Sequence, residues 1–170
     1  MAEARIEDGV PRTAGWFVLN ARDARWVHDE LRSVCRWGGE GEAHFDDLGL
    51  GLYLIRPGRP MAMYHHEAGQ EDFLLLRGTA LLIVQGHERA LEPWDLVHCP
   101  PRTAHTIVAT GDEPCVVFAG GARKERGSAR YPVDEAAVRH GAGVDRPVAS
   151  PAEAYAGFAP ARPGPPPDIF

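Results

Sequence analysis

Apolar residues alternate with small or polar ones through most of the segment from residue 44 to residue 121. In "LGLGLYLIRPG", the leucines from Leu48 to Leu54 occupy every second position, and the run stops at a Pro-Gly turn. A two-residue period is that of a β-strand. The runs "EDFLLLRG", "TALLIVQGHERAL", "DLVHCPP", "AHTIVATGDEP" and "CVVFAGGAR" follow, each bounded by glycine or proline. Roughly eight short strands with frequent turn signals predict an all-β sandwich or barrel rather than an α/β fold.

The regions on either side of this β-rich segment differ from it in pattern. We expect residues 1–43 to form an N-terminal arm that packs on a barrel of residues 44–121, with residues 1–15 flexible. Residues 122–170 are predicted to be a helical extension with a proline-rich tail. The tail, "APARPGPPPDIF", is predicted to be extended or disordered because its prolines favour neither helix nor sheet interior.

Two short helices are predicted within the C-terminal extension, packed on the outside of the barrel. In "PVDEAAVRHGAG", Asp134 is a candidate N-cap and Gly141 lies just past the helix end. In "SPAEAYAGF", Ser150 is the candidate N-cap, with proline at the first helical position and Glu153 completing a capping box.

Composition and charge exclude several classes of protein. A net charge of −6 and a pI of about 5.7, with no face or run rich in lysine and arginine, argue against a nucleic-acid partner. The basic stretch "ARKERGSAR" is interrupted by Glu125 and is interpreted as a solvated turn. No run of about 18 apolar residues predicts a membrane span, and the acidic N-terminus does not resemble a secretory signal. Three cysteines give no disulfide framework, so we expect a cytoplasmic setting, with Cys99 and Cys115 in the core.

Candidate metal ligands concentrate in "YHHEAGQEDFLLLRG", residues 64–78. Its donors are His65 or His66, together with Glu67 and Glu71, and His105 opens a later strand. Zinc, iron, manganese and nickel all accept imidazole and carboxylate ligands together. Residues two apart on a strand share a face, so either His65 with Glu67 or Tyr64 with His66 points inward. This reasoning leaves the choice between the two histidines open.

Glu71 stands at the start of an alternating apolar face that continues with Phe73 and Leu75. An unpaired carboxylate on such a face is costly, and a bound metal or a buried partner removes that cost. The site hypothesis therefore depends on Glu71 as much as on the histidines.

The spacing of these residues resembles the two motifs of the cupin family, G-x5-H-x-H-x3or4-E-x6-G and G-x5-P-x-G-x2-H-x3-N. Six residues separate Glu71 from Gly78, and Pro100 and His105 stand in the relation of the second motif, preceded by Asp95. The resemblance implies a single jelly-roll β-barrel that holds a divalent metal, often in a homodimer.

The chain also departs from the family pattern. Trp94 and Arg102 replace the glycines of the second motif, and Ala109 replaces its asparagine. The first motif has no H-x-H.

The family spacing also bears on the choice of histidine. If three residues separate the second histidine position of the motif from Glu71, the H-x-H positions fall on His65 and Glu67. If four residues separate them, the positions fall on Tyr64 and His66. The first register keeps more metal donors and is preferred. The implied ligand set is therefore His65, Glu67, Glu71 and His105, which suits zinc, manganese or iron. Side chains expected to line the pocket are those of Tyr53, Gln70, Phe73 and Phe118.

The function expected from this resemblance is that of a metal-binding cupin acting on a small organic molecule, possible reactions being those of a dioxygenase or an isomerase. Glu67 or Glu71 is a candidate base, although no catalytic residue is assigned. The alternatives are a non-catalytic cupin with a degenerate site that binds or senses a small ligand, and a structural barrel that works through a dimer surface. The sequence does not choose a substrate.

Overall fold

The computed structural model describes residues 1–123 and 127–169, and these are folded mainly as β-strands. Residues 124–126 of the basic stretch, and Phe170 of the tail, lie outside the described residues. The strands are β1 (Ile6–Glu7), β2 (Val10–Pro11), β3 (Trp26–His28), β4 (Arg32–Trp37), β5 (Leu48–Ile55), β6 (Glu71–Arg77), β7 (Ala80–Val84), β8 (His87–Leu91), β9 (Leu96–Cys99), β10 (His105–Ala109), β11 (Cys115–Ala122) and β12 (Arg162–Gly164). The helices are a 3-10 turn (Gly41–Ala43), α1 (Glu135–Arg139) and α2 (Pro151–Ala154).

Two antiparallel sheets enclose the main core. The larger sheet has the strand order β12-β3-β4-β5-β11-β6-β9, and the smaller has the order β10-β7-β8. The central cluster of buried side chains draws on both sheets, with Ile55, Leu75 and Val117 from the larger and Leu82 and Ile107 from the smaller. The all-β prediction is confirmed. The strands predicted from the alternating runs appear as β5 to β11.

The strand register explains why Glu71 points inward. Antiparallel partners that lie opposite each other project to the same face of a sheet. In the pairing of β6 with β11, Glu71 lies opposite Gly121, and Phe73 lies opposite Ala119. Glu71 therefore begins an inward face that continues with Phe73 and Leu75, both 2% exposed, as the alternation predicted.

The short helices form where the capping residues predicted them. The Asp134 carboxylate accepts a hydrogen bond from the Ala137 N–H at 2.9 Å, and the Ser150 hydroxyl accepts one from the Ala152 N–H at 3.2 Å. Glu153 does not complete the predicted capping box. Its carboxylate accepts a hydrogen bond from Arg146 instead.

Helix α1 covers the outer face of the smaller sheet. Its alanines pack in one cluster with side chains of β7, β10 and the loop before β6: Tyr64, Ile83, Val108, Ala136, Ala137 and Ala142. This confirms that a C-terminal helix packs on the outside of the β structure.

Two terminal segments are more ordered than the sequence predicted. Part of the N-terminal stretch expected to be flexible forms the hairpin of β1 and β2. Part of the proline-rich tail forms β12, which pairs with β3 at the end of the larger sheet. The larger sheet also continues through β4 and β5, across the predicted boundary at residue 44. The division into arm, barrel and extension stays a prediction.

Two tight turns hold residues other than glycine in the left-handed conformation. Trp94 has φ 79° and Arg102 has φ 65°. Each follows a proline in a turn closed by a backbone hydrogen bond, from Asp95 N to Glu92 O at 3.0 Å and from Thr103 N to Pro100 O at 3.1 Å. A proline followed by a residue of positive φ is the arrangement of a type II turn, which favours glycine at that third position. The backbone thus keeps the conformation that the family glycines would adopt, although the glycines themselves are replaced.

Across the described residues, no helix is both long enough and apolar enough to cross a membrane.

Candidate metal site

Three of the predicted ligands meet in one group. A ring nitrogen of His65 and a carboxylate oxygen from each of Glu67 and Glu71 lie within 4.8 Å of one another. The fourth predicted ligand, His105, adjoins this group, with its Nε2 at 3.7 Å from Glu71 Oε2. The structure therefore brings together the four side chains that the sequence singled out, although they come from separate segments.

Backbone pairing sets the two histidines side by side. His65 and His105 form an antiparallel bridge, with N–H to O distances of 3.2 and 2.9 Å. The centres of their rings are 5.5 Å apart. The strand β10 thus places His105 next to a residue that lies 40 positions earlier in the chain.

Both imidazoles are oriented by main-chain carbonyl groups. His65 Nδ1 lies 2.8 Å from Met63 O, and His105 Nδ1 lies 2.9 Å from Thr103 O. A carbonyl oxygen only accepts, so each Nδ1 carries the proton and donates it. The Nε2 of each ring is consequently left with a lone pair, which is the form in which histidine binds a metal.

His105 offers the clearest test of whether a metal fits. The side chain is 1% exposed, and its Nε2 is buried without a hydrogen-bond partner. A buried acceptor without a partner costs about 1–3 kcal/mol. A divalent cation held between this nitrogen and the nearby carboxylates removes that cost, so the residues present fit a metal.

The protonation states also suit a metal site. Burial, with a smaller contribution from the charge of Glu67, raises the pKa of Glu71 to about 7. Burial also raises the pKa of Glu67. It lowers the pKa of His105 to about 4 and lowers the pKa of His65. Near neutral pH the imidazoles are therefore neutral, and Glu71 is partly protonated and can lose its proton to a cation.

The turn before β10 holds the backbone of Glu67. The Arg102 N–H donates to the Glu67 carbonyl at 2.7 Å. On the other side, the Ala68 N–H donates to the Ser128 hydroxyl at 2.8 Å. The left-handed conformation of Arg102 is thus part of what positions Glu67 beside His65.

The alternative register places its side chains elsewhere. Tyr64 packs in the outer cluster beneath α1, and the His66 backbone pairs with Arg130. Among the described residues, the group that gathers around Glu71 contains His65 and not His66. His98 lies at the surface, with its Nδ1 2.6 Å from Asp72 Oδ1. The ligand assignment itself stays a prediction that only metal binding can test.

A cavity of about 390 Å³ opens beside these donors. Tyr53 and Phe73 line it, as the sequence predicted. The prediction was wrong for two other side chains. Phe118 packs on the outer face of the sheet against Trp37, and the exposed side chain of Gln70 donates to Asp72.

Sequence reasoning missed five charged or aromatic residues that line the cavity from outside the predicted barrel: Arg32, Arg36, Arg123, Tyr131 and Tyr155. A signal existed for Arg32 and Arg36, since residues 32 and 36 share one face of a strand. The sequence has no comparable signal for the tyrosines. Tyr131 stacks on His65 with ring centres 5.6 Å apart, and the Tyr155 hydroxyl accepts a hydrogen bond from the Met63 N–H at 3.0 Å.

Comparison with known proteins agrees with this architecture. The family model described as the cupin domain matches residues 51–120. A 5-nitrosalicylic acid 1,2-dioxygenase from Bradyrhizobium sp. is 31% identical over 71 residues, which are 42% of this chain and 34% of that protein. The match thus spans about a third of the relative's length.

Two solved structures share the fold. KdgF from Halomonas sp. is similar with a TM-score of 0.53 and 20% identity, covering 65% of this chain and 96% of that one. A cupin 2 domain-containing protein from Halorhodospira halophila gives a TM-score of 0.52 and 20% identity, covering 65% and 77%. At this identity the likeness concerns the fold alone. Residues 51–120 thus match the cupin domain, and the chain shares the fold of these cupin structures.

Proposed function

We propose that this cupin is a metal-dependent enzyme of dioxygenase or isomerase type that acts on a small organic molecule. The observation that carries the proposal is the buried, unpartnered Nε2 of His105, which lies beside a carboxylate at the edge of a cavity. The proposed ligands are His65, Glu67, Glu71 and His105. The identity of the metal, whether zinc, manganese or iron, is left to experiment.

A divalent metal at this site supplies a Lewis acid or a redox centre beside the substrate cavity. The chain's own residues orient the ligands and shape the cavity. The carbonyl groups of Met63 and Thr103 fix the two imidazole rings, and Phe73, whose ring centre is 5.0 Å from that of His105, lines the cavity beside them. In the metal-free protein Glu71 has a pKa of about 7, so it can release its proton near neutral pH when a metal binds.

Similarity to the nitrosalicylate dioxygenase favours oxygen chemistry over isomerisation. The similarity covers 42% of this chain and 34% of that protein. It therefore supports the type of reaction more strongly than it supports a particular substrate.

Metal analysis tests the proposal directly. Protein purified without an affinity tag, and reconstituted with zinc, manganese or iron, is expected to hold one metal per chain, and His105→Ala is expected to lose it. His98→Ala, which removes an exposed histidine, is the matched control. If neither the natural protein nor the His98 variant retains metal after reconstitution, the proposal fails.

Turnover separates an enzyme from a binding protein. Oxygen consumption by the metal-loaded protein is measured with a panel of phenolic acids that includes 5-nitrosalicylate, and with diketones and thiols. Activity that disappears in His105→Ala supports the enzyme. Ligand binding with no turnover across the panel supports instead a cupin that binds or senses its ligand.

We further propose that the protein is a cytoplasmic homodimer, as the family resemblance implies. The three cysteines are all buried and free, which suits a reducing compartment. Light scattering on the purified protein measures the mass. A monomer at micromolar concentration contradicts the dimer.

A further inference from the structure

The cavity beside the metal donors carries charges of both signs. Glu67 and Glu71 line it together with the guanidinium groups of Arg32, Arg36 and Arg123. A divalent cation offsets the two carboxylates, whereas arginine keeps its charge at any ordinary pH. A metal-loaded cavity therefore has an excess of positive charge, even though the whole chain has a net charge of −6.

The position of Arg32 and Arg36 follows from the sheet. Both lie on β4, two residues on either side of Val34, which pairs with Tyr53 of β5. Both guanidinium groups therefore approach the Tyr53 ring, at 5.7 Å for Arg32 and 5.9 Å for Arg36. Arg32 also lies 5.9 Å from the ring of Tyr155. Aromatic packing of this kind holds the plane of a guanidinium while leaving its N–H edge able to donate.

The positive charges of Arg32 and Arg36 are not fully neutralised by carboxylates of the chain. The nearest carboxylate to Arg32 is that of Asp29, whose Oδ2 lies 3.8 Å from Arg32 Nε. This arginine nitrogen is buried and has no hydrogen-bond partner. Within residues 1–123 and 127–169, no carboxylate lies within ion-pair distance of Arg36. Arg123 differs, because it donates to the Phe45 carbonyl at 3.2 Å. Arg36 forms a side-chain hydrogen bond with Tyr53, and the remaining N–H groups of Arg32 and Arg36 are the ones left to bind a ligand in the cavity.

On the basis of the proposed function, we infer that the substrate is a small organic carboxylate, and that Arg32 and Arg36 bind its carboxylate group. A guanidinium matches a carboxylate with two parallel N–H to O hydrogen bonds, which gives both strength and orientation. The remainder of the molecule then lies in the same cavity toward the metal donors. Tyr131 and Tyr155 form the wall beside it.

Under this assignment, the residues that select the substrate and the residues that bind the metal lie in different segments of the chain. All four predicted metal ligands lie within residues 51–120, where the family model matches. Arg32 and Arg36 precede that range, and Tyr131 and Tyr155 follow it. We therefore place substrate selection in the segments that flank the cupin domain.

Matched pairs of anionic and neutral probes test the inference. Salicylate is compared with salicylamide, and malonate with malonamide, by titration calorimetry on both metal-loaded and metal-free protein. We expect each carboxylate to bind about 10-fold or more tightly than its amide, and Arg36→Gln to remove most of that preference. Arg36→Lys keeps the charge but loses the two-point geometry, so an intermediate preference is expected. Arg89→Gln, which changes an exposed arginine of β8, is the control.

The results distinguish this inference from the metal proposal. A preference for carboxylates that Arg36→Gln abolishes, with metal content and melting temperature unchanged, supports it. Equal affinity for carboxylate and amide in the natural protein overturns it, whatever the metal content. So does a preference that survives both Arg36→Gln and Arg32→Gln. Failure to bind metal overturns only the proposed function, since the preference can still be measured in the metal-free protein.

Discussion

Replacing Glu71 with glutamine is expected to stabilise the metal-free protein at alkaline pH. Burial raises the pKa of this carboxyl group from 4.5 to about 7, and the charge of Glu67 contributes. Between these two values the folded protein binds more protons than the unfolded chain does. The free energy of unfolding therefore falls as the pH rises from 4.5 to about 7, and the loss is complete above that range. At about 1.4 kcal/mol per pH unit, the cost of ionised Glu71 reaches about 3 kcal/mol.

Glutamine has nearly the same shape and carries no charge, so it avoids this cost. For a chain of this size, about 3 kcal/mol corresponds to a rise in melting temperature of about 6–12 °C. Because the Glu71 side chain is 19% exposed, this is an upper limit. The rise is expected at pH 8, should be much smaller at pH 5, and should vanish below about pH 4, where Glu71 is protonated in both the folded and the unfolded state. His105, with a pKa lowered to about 4, acts in the opposite sense at low pH, but its effect cancels between the variant and the natural protein.

Thermal unfolding of chelator-treated protein, followed by circular dichroism from pH 5 to pH 8, measures the difference. Glu113→Gln, on an exposed turn, is the control and should change little. Added zinc or manganese is expected to stabilise the natural protein and to stabilise Glu71→Gln much less, because the variant lacks a ligand. A variant that is less stable than the natural protein at pH 8, or a difference that is the same at pH 5 and pH 8, would refute the reasoning.

Three further predictions concern five substitutions. His65→Ala is expected to lower metal affinity at least 10-fold and His66→Ala to leave it nearly unchanged; equilibrium dialysis measures both, and the reverse ranking would show that the other register is correct. Trp94→Gly and Arg102→Gly are each expected to stabilise the fold by about 1 kcal/mol, because glycine adopts positive φ without strain; urea unfolding measures this, and a loss of stability contradicts it. Tyr155→Phe removes the acceptor for the Met63 N–H and is expected to cost about 1 kcal/mol in the same assay, whereas no change would mean that solvent replaces the hydroxyl.

Local patterns predicted the central part of the molecule well. Alternation identified the strands from β5 to β11, and Asp134 and Ser150 marked the starts of both short helices. Glu71 was identifiable because a carboxylate on an apolar face needs a partner. Each of these signals lies within a few neighbouring residues, so a single sequence is enough to carry it.

The parts that were missed depend on pairings between distant segments. Composition predicted a proline-rich tail that is extended or disordered, but not that Arg162–Gly164 pairs as a strand at the edge of the larger sheet. Pro163 is tolerated there because an edge strand can leave a missing N–H on its open side. Arg32 and Tyr155 reach one cavity from opposite ends of the chain, and no local pattern connects them.

The hydrogen bond between Met63 and Tyr155 has a consequence for the order in which the site is assembled. It spans 92 residues, and the Met63 carbonyl in turn accepts from His65. During synthesis the segment that carries all four metal donors is made before Tyr131 and Tyr155. A newly made barrel can therefore gather its donors while the wall of the cavity is still missing. A chain that stops before residue 131 therefore carries the four predicted donors but lacks the two tyrosines of the cavity wall.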